Sequence, residues 1–191
     1  MAGSRRGRPY RAGEPAMSGG SRSCCPTEVG RCYGVQHNNS DVLCPFRGLE
    51  PESGNLPAGV HDATWNELVA VFGAGRRRER LLHGLLRALY ALKLAGCRRA
   101  YVDGSFVTSK PEPGDFDVCW EAAGVVARRL DPVLLDFSDG RAAQKAKYGG
   151  ELFISTSVAS PPNTTFIDFF QIDKATGRPK GVVAIDSQQL P

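Results

Sequence analysis

Tyr101–Trp120 reads YVDGSFVTSKPEPGDFDVCW, and this stretch decides the architecture expected of the chain. A short apolar strand over Ala100–Val102 runs into Gly104-Ser105. Nine residues of loop chemistry follow, holding two prolines, a glycine and Lys110, before Asp115-Phe116-Asp117-Val118. Alternate residues of a strand share a face, about 6.5 Å apart. Asp115 and Asp117 are therefore expected to project together, while Phe116 and Val118 face a core. Two ionised carboxylates this close repel, and a hard divalent cation between them relieves the repulsion. Gly104 permits close backbone approach, and Ser105 offers a hydroxyl and an N–H to an anion. A phosphate held by Gly-Ser beside a cation held by Asp-x-Asp is suited to transferring a phosphorus-centred group.

Around this stretch, helices and strands alternate irregularly. Asn55–Asp62 reads as a loop. Thr64 and Glu67 form a capping-box signature for a helix through Phe72. Arg76–Leu94 carries leucines at 81, 85, 89 and 92, the stripe of a buried helix, with Gly96 as its C-cap. The Arg76–Arg80 cluster reads as a solvated helix start, and His83 as a packed or surface residue. Glu121–Leu130 and Asp139–Lys147 fit further helices. Glu151–Ser155, the β-prone TTFIDFFQ of Thr164–Gln171, and Gly181–Ile185 fit strands. The expected fold is α/β or α+β, a mixed sheet with helices packed on it.

The chain has 191 residues, a net charge of +4 and 41% hydrophobic residues, enough for one core and too little charge to argue for a nucleic-acid partner. Residues 1–54 are rich in Gly, Ser, Pro and Arg and lack periodicity, so they read as a loosely ordered arm ahead of a domain over 55–191. The arm holds Cys24, Cys25, Cys32, Cys44 and His37. These are zinc-ligand types, but they lack paired C-x-x-C spacing, and reduced thiols are the expectation. Arg5, Arg6, Arg8 and Arg11 read as a solvated tail. No apolar run is long enough to span a membrane and none follows the N-terminal arginines as an export signal would, so a cytoplasmic protein is expected.

Asp168 is the one charged residue of TTFIDFFQ, and burying it unpaired would be costly. It escapes that cost by facing solvent, by pairing with an arginine, or by lying on a strand beside Asp115 and Asp117. The last is the expectation here. A cluster of three carboxylates can hold two Mg²⁺ about 3.5–4 Å apart.

Gly104-Ser105, nine residues, Asp115-x-Asp117 and a later Asp together resemble the nucleotidyltransferase superfamily of DNA polymerase beta-like enzymes. More closely, Leu56–Ile185 looks like a family of small uncharacterised bacterial nucleotidyltransferase-like proteins, through GVHDATWNEL, DGSFVTSKPEPGDFDVCW, AQKAKYGGELF, DFFQ and KGVVAID. The resemblance implies a minimal nucleotidyltransferase fold with Gly104 and Ser105 on the terminal phosphates of a nucleoside triphosphate. It implies Asp115, Asp117 and Asp168 as catalytic, metal-binding carboxylates for Mg²⁺ or Mn²⁺. Lys110, Lys145 and Lys147 become candidate triphosphate contacts; Glu151 reads as no more than a strand start. Phe106-Val107-Thr108 stands where many minimal transferases carry an Arg. The resemblance implies transfer of a nucleoside monophosphate to a protein or nucleic-acid hydroxyl supplied in trans, in a toxin–antitoxin or defence setting. The alternative is an inactive regulator of the same fold that binds a nucleotide or a partner protein.

Overall fold

The computed structural model describes Phe46 and residues 48–191. The arm's cysteines, His37 and its first arginines lie outside the described residues.

Helices cover both faces of one sheet, the longer ones on one side and a single short helix on the other. Strand β1 (Gly59–Ala63) leads to helix α1 (Trp65–Phe72), opened by the expected capping box, in which the Thr64 side chain and the Glu67 side chain each accept the other's backbone N–H. Helix α2 (Arg76–Ala95) ends at Gly96 in the left-handed conformation. Strands β2 (Arg99–Asp103) and β3 (Phe116–Trp120) form an antiparallel pair around the Gly104–Asp115 loop. Helix α3 (Ala142–Tyr148) precedes strand β4 (Gly150–Ile154), and a small ribbon, β5 (Val158–Ser160) with β6 (Thr164–Thr165), leads into the short helix α4 (Phe166–Phe170). Strand β7 (Gly181–Asp186) closes the main sheet, whose order is β1-β7-β2-β3-β4. The pairs β1–β7 and β3–β4 are parallel and the other two antiparallel, so the fold is a mixed α/β sheet with helices packed on it.

The strands sort their side chains by alternation. Ala100, Val102, Phe116, Val118, Trp120, Leu152, Val183 and Ile185 point to the helical side, where they meet Leu81, Leu85, Leu89 and Leu92 of α2. Gly84 lies where α2 crosses the end of α3: a Cβ there would sit 1.7 Å from the Tyr148 carbonyl oxygen. The opposite face carries Cys119, Phe153 and Val182, covered by Phe170 and its neighbours Phe166, Ile167 and Phe169. At one end of that second face the residues turn acidic: Asp103, Asp117 and Glu151.

Several expected elements move. Asn55–Asp62 is not all loop, because Gly59–Ala63 pairs with β7 along its whole length. Glu121–Leu130 is a turn followed by one 3-10 turn at Ala127–Arg129, with Gly124 at positive φ beside the end of α2. Thr164–Gln171 is not a strand past Thr165 but helix α4. The packed body also reaches back before residue 55, since Phe46 and Leu49 join the helical core. Among the described residues no helix is long and apolar enough to cross a membrane.

Candidate functional site

The site begins where β2 ends. Gly104 has φ +82°, a conformation that L side chains rarely adopt, and a Cβ there would lie 2.5 Å from Asp117 Oδ2 and 3.1 Å from Asp117 N. Glycine is what lets the turn press against β3. Ser105–Val107 then form a 3-10 turn that anchors Phe106 and Val107 in the core. The rest of the loop is held by Arg78, which sequence reading placed on a solvated helix start. Its guanidinium is buried and donates to four carbonyls: Phe72 (3.1 Å), Phe106 (2.6 Å), Thr108 (2.8 Å) and Lys110 (2.6 Å). Burial lowers its pKa.

Asp117 stands at the centre of an acidic row. It is the cross-strand partner of Asp103 on β2 and is in register with Glu151 on β4, while Asp115 lies just before β3. Burial first, and then the charges of Asp103, Asp115 and Glu151, push the Asp117 carboxyl up to about 6. Asp103 is buried and also shifted upward by burial, opposed by its ion pair with Lys180. On the other side, Lys145 lies 2.5 Å from Glu151 Oε1 and 3.7 Å from Asp115 Oδ2. Its hydrogen bond to Glu151 raises its pKa above the ordinary lysine value. Arg141 Nη1 lies 3.7 Å from Glu151 Oε2.

A cavity of about 300 Å³ opens beside this row. Asp103, Gly104, Ser105 and Asp117 line it together with Lys174 and Lys180, whose ammonium pairs with Asp103. It joins the phosphate-suited turn, the central carboxylate and two cationic side chains in one volume.

Of the residues singled out from sequence, Gly104, Ser105, Asp115, Asp117 and Lys145 come together here. Asp168 does not share their strand setting. It lies on α4, exposed, with its carboxylate accepting from the Thr165 hydroxyl at 2.5 Å, and it is not among the residues lining the cavity. The expected strand fails because Thr165 caps the helix by accepting from Asp168 N, so local capping prevails over the β propensity of the aromatic run. Lys110 is exposed and contributes its carbonyl to Arg78. Lys147 pairs with Asp131 instead. Asp103, Lys174 and Lys180 carry no role in the sequence reading, and Glu151 carries only that of a strand start. For Asp103 the signal was its place directly before Gly104, and for Glu151 its place opening a strand after Gly149-Gly150.

Among the described residues no three His, Cys, Asp or Glu side chains are gathered into a metal-ligand set. The donor chemistry of Asp115, Asp117 and Glu151 nevertheless suits a hard divalent cation. All three offer oxygen, the charges of Asp115 and Glu151 add to the rise that burial imposes on Asp117, and the Lys145 ammonium is already drawn between Asp115 and Glu151.

Residues 49–186 match the model of a family described as "Family of unknown function (DUF6932)". No curated protein and no solved structure matches the chain.

Proposed function

We propose that this chain, which belongs to the DUF6932 family, is a nucleotidyltransferase: a hydroxyl of a protein or nucleic acid supplied in trans attacks the α-phosphorus of a nucleoside triphosphate, the bond from the α-phosphorus to the bridging oxygen breaks, and pyrophosphate leaves as the nucleoside monophosphate is transferred. The observation that carries the proposal is the packing of the Gly104 turn against Asp117, with Glu151 in register on the next strand. Ser105 would hold a terminal phosphate through its N–H and hydroxyl. Lys174 and Lys180, which line the same cavity, would balance phosphate charge in place of Lys110 and Lys147. Asp115 and Asp117, with Glu151 beside them, would hold Mg²⁺, which when bound neutralises phosphate charge and lowers the pKa of an attacking hydroxyl. The third carboxylate of the site is thus Glu151 and not Asp168. Orientation by a fixed turn and a fixed strand pair supplies the remainder of the rate.

The test is transfer of label from an α-³²P nucleoside triphosphate to an acceptor in lysate, in the presence of Mg²⁺. Labelling by the wild-type chain, lost in Asp117→Asn and Glu151→Gln and kept in Asp168→Asn, supports the proposal. A second reading, a regulator that binds a nucleotide or partner without turnover, is favoured by one observation: Lys145 already neutralises Glu151 and Asp115. Tight triphosphate binding without labelling by any variant would select it.

A further inference from the structure

Among the described residues, Lys145 is the one cation that pairs with two acidic side chains of the site. Its Nζ lies 2.5 Å from Glu151 Oε1 and 3.7 Å from Asp115 Oδ2. The other cations of the row are held in place. Lys180 pairs with Asp103, and both side chains are nearly buried, at 12% and 8% exposed. Arg141 Nη1 lies 3.7 Å from Glu151 Oε2, and its guanidinium carbon rests 4.0 Å from the Phe153 ring centroid, which fixes the planar group. Lys145 has no such restraint. Its side chain is 43% exposed, on a flexible four-carbon stem, and its ammonium can return to water readily.

The helix beneath Lys145 does not depend on this ion pair. Gln144 is buried, donates from Nε2 to the Leu134 and Asp136 carbonyls at 3.3 and 3.1 Å, and accepts the Leu152 N–H at 2.8 Å. The Lys145 carbonyl accepts the Gly149 N–H that ends α3. Gln144 and the backbone therefore tie α3 to β4, while the Lys145 side chain alone can swing.

We infer that Lys145 is the internal counter-ion of the site: it holds the Glu151 and Asp115 carboxylates together while no divalent cation is bound, and its ammonium leaves them for solvent when one binds. The inference rests on the reading of Asp115, Asp117 and Glu151 as the cation's oxygen donors. Glu151 Oε1 cannot serve an ammonium at 2.5 Å and a divalent cation together, because the two like charges would share one oxygen. A divalent cation brings twice the charge to the same hard oxygens, so the ammonium is the one displaced. Lys145 thereby positions the carboxylates in advance, and its competition for them lowers the affinity of the site for the cation.

The experiment uses the full chain at physiological ionic strength, with two readouts: binding of Mn²⁺ alone, from the paramagnetic signal of the free ion, and acylation of individual lysine amines with and without Mg²⁺, read by mass spectrometry. Lys145→Met keeps an unbranched stem and removes the charge, and Lys145→Gln is a second neutral variant. Lys147→Met is the control, since it removes one charge from the same helix at a lysine that pairs with Asp131. Both Lys145 variants are expected to bind Mn²⁺ about fivefold or more tightly than the wild type, and Lys147→Met to stay within about twofold, because an exposed charge outside the site is screened. In the wild type, saturating Mg²⁺ is expected to raise acylation of Lys145 about threefold or more and to leave that of Lys147 within about twofold, because only the Lys145 amine is released to solvent. Unchanged or weaker Mn²⁺ binding in the Lys145 variants, an equal gain in Lys147→Met, or Lys145 acylation that Mg²⁺ leaves unchanged or lowers overturns the inference and leaves the cation site standing. If neither the wild type nor the Lys145 variants bind Mn²⁺, the carboxylate-site reading fails, and this inference with it.

Discussion

Glu151 sits in parallel register with Asp117, on the next strand and on the same face of the sheet. The pairing brings together residues from two motifs thirty-four positions apart, with Lys145 bridging from α3. Its first consequence is electrostatic. Each carboxylate added to the row makes ionising the next one harder, and Asp117, the most central, carries the cost.

Asp117→Asn should therefore stabilise the protein at neutral pH. A carboxyl raised to about 6 in the fold and near its ordinary value when unfolded makes the native state bind the extra proton. Stability from this group is full below pH ~4 and is lost as pH rises to about 6. Thermal unfolding of the wild type from pH 4 to 8 should show that decline, and Asp117→Asn should flatten it and gain about 1–3 kcal/mol at pH 7.5. A variant that loses stability at pH 7.5 would contradict a carboxyl raised by burial and, after that, by its acidic neighbours.

The cation prediction separates Glu151 from Asp168. Titration with Mn²⁺, followed by its paramagnetic signal, should weaken about tenfold or more in Asp115→Asn and in Glu151→Gln, because oxygen count and charge set the affinity of hard-cation sites. Asp168→Asn should leave it within about twofold and cost at most ~1 kcal/mol of stability through helix capping.

Gly104→Ala tests the turn. The added methyl would meet the Asp117 carboxylate at 2.5 Å on a backbone already at positive φ. The expected result is a loss of tripolyphosphate binding together with about 1–3 kcal/mol of stability, checked by calorimetry and denaturant unfolding. Gly114→Ala, which meets no neighbour, should leave both nearly unchanged.

Arg78→Met should cost about 2–4 kcal/mol, since it leaves buried carbonyls without their charged donor. Amide exchange over Val107–Lys110 should quicken more than that of β3. Equal protection in both segments would mean that the loop is held by its core side chains alone.

Much of the fold is local chemistry and was legible. Thr64 with Glu67, the leucine spacing of Arg76–Ala95 and the alternation around Phe116 and Val118 each act within a few residues. Short edge structure was not: Gly59–Ala63 is a strand only because β7 lies beside it, and its sequence, with Gly59, His61 and Asp62, carries little β signal. At Phe166–Phe170 two local signals compete. The aromatic run favours strand, yet Thr165 and Asp168 repeat the spacing that Thr64 and Glu67 use to open α1, and capping wins. The site divides in the same way. Gly104, Ser105, Asp115 and Asp117 belong to one loop and could be read together. Asp103, Glu151, Lys174 and Lys180 enter through strand register and loop return, which no spacing in the chain states.

The most direct measurement is a crystal structure of the full chain grown with Mn²⁺ and a non-hydrolysable nucleoside triphosphate, recorded at the manganese absorption edge. Anomalous density within bonding distance of Asp117 and Glu151, with the terminal phosphate on Ser105, is the expected result. Manganese and phosphates gathered at Asp168, or away from the Gly104 turn, would contradict the account.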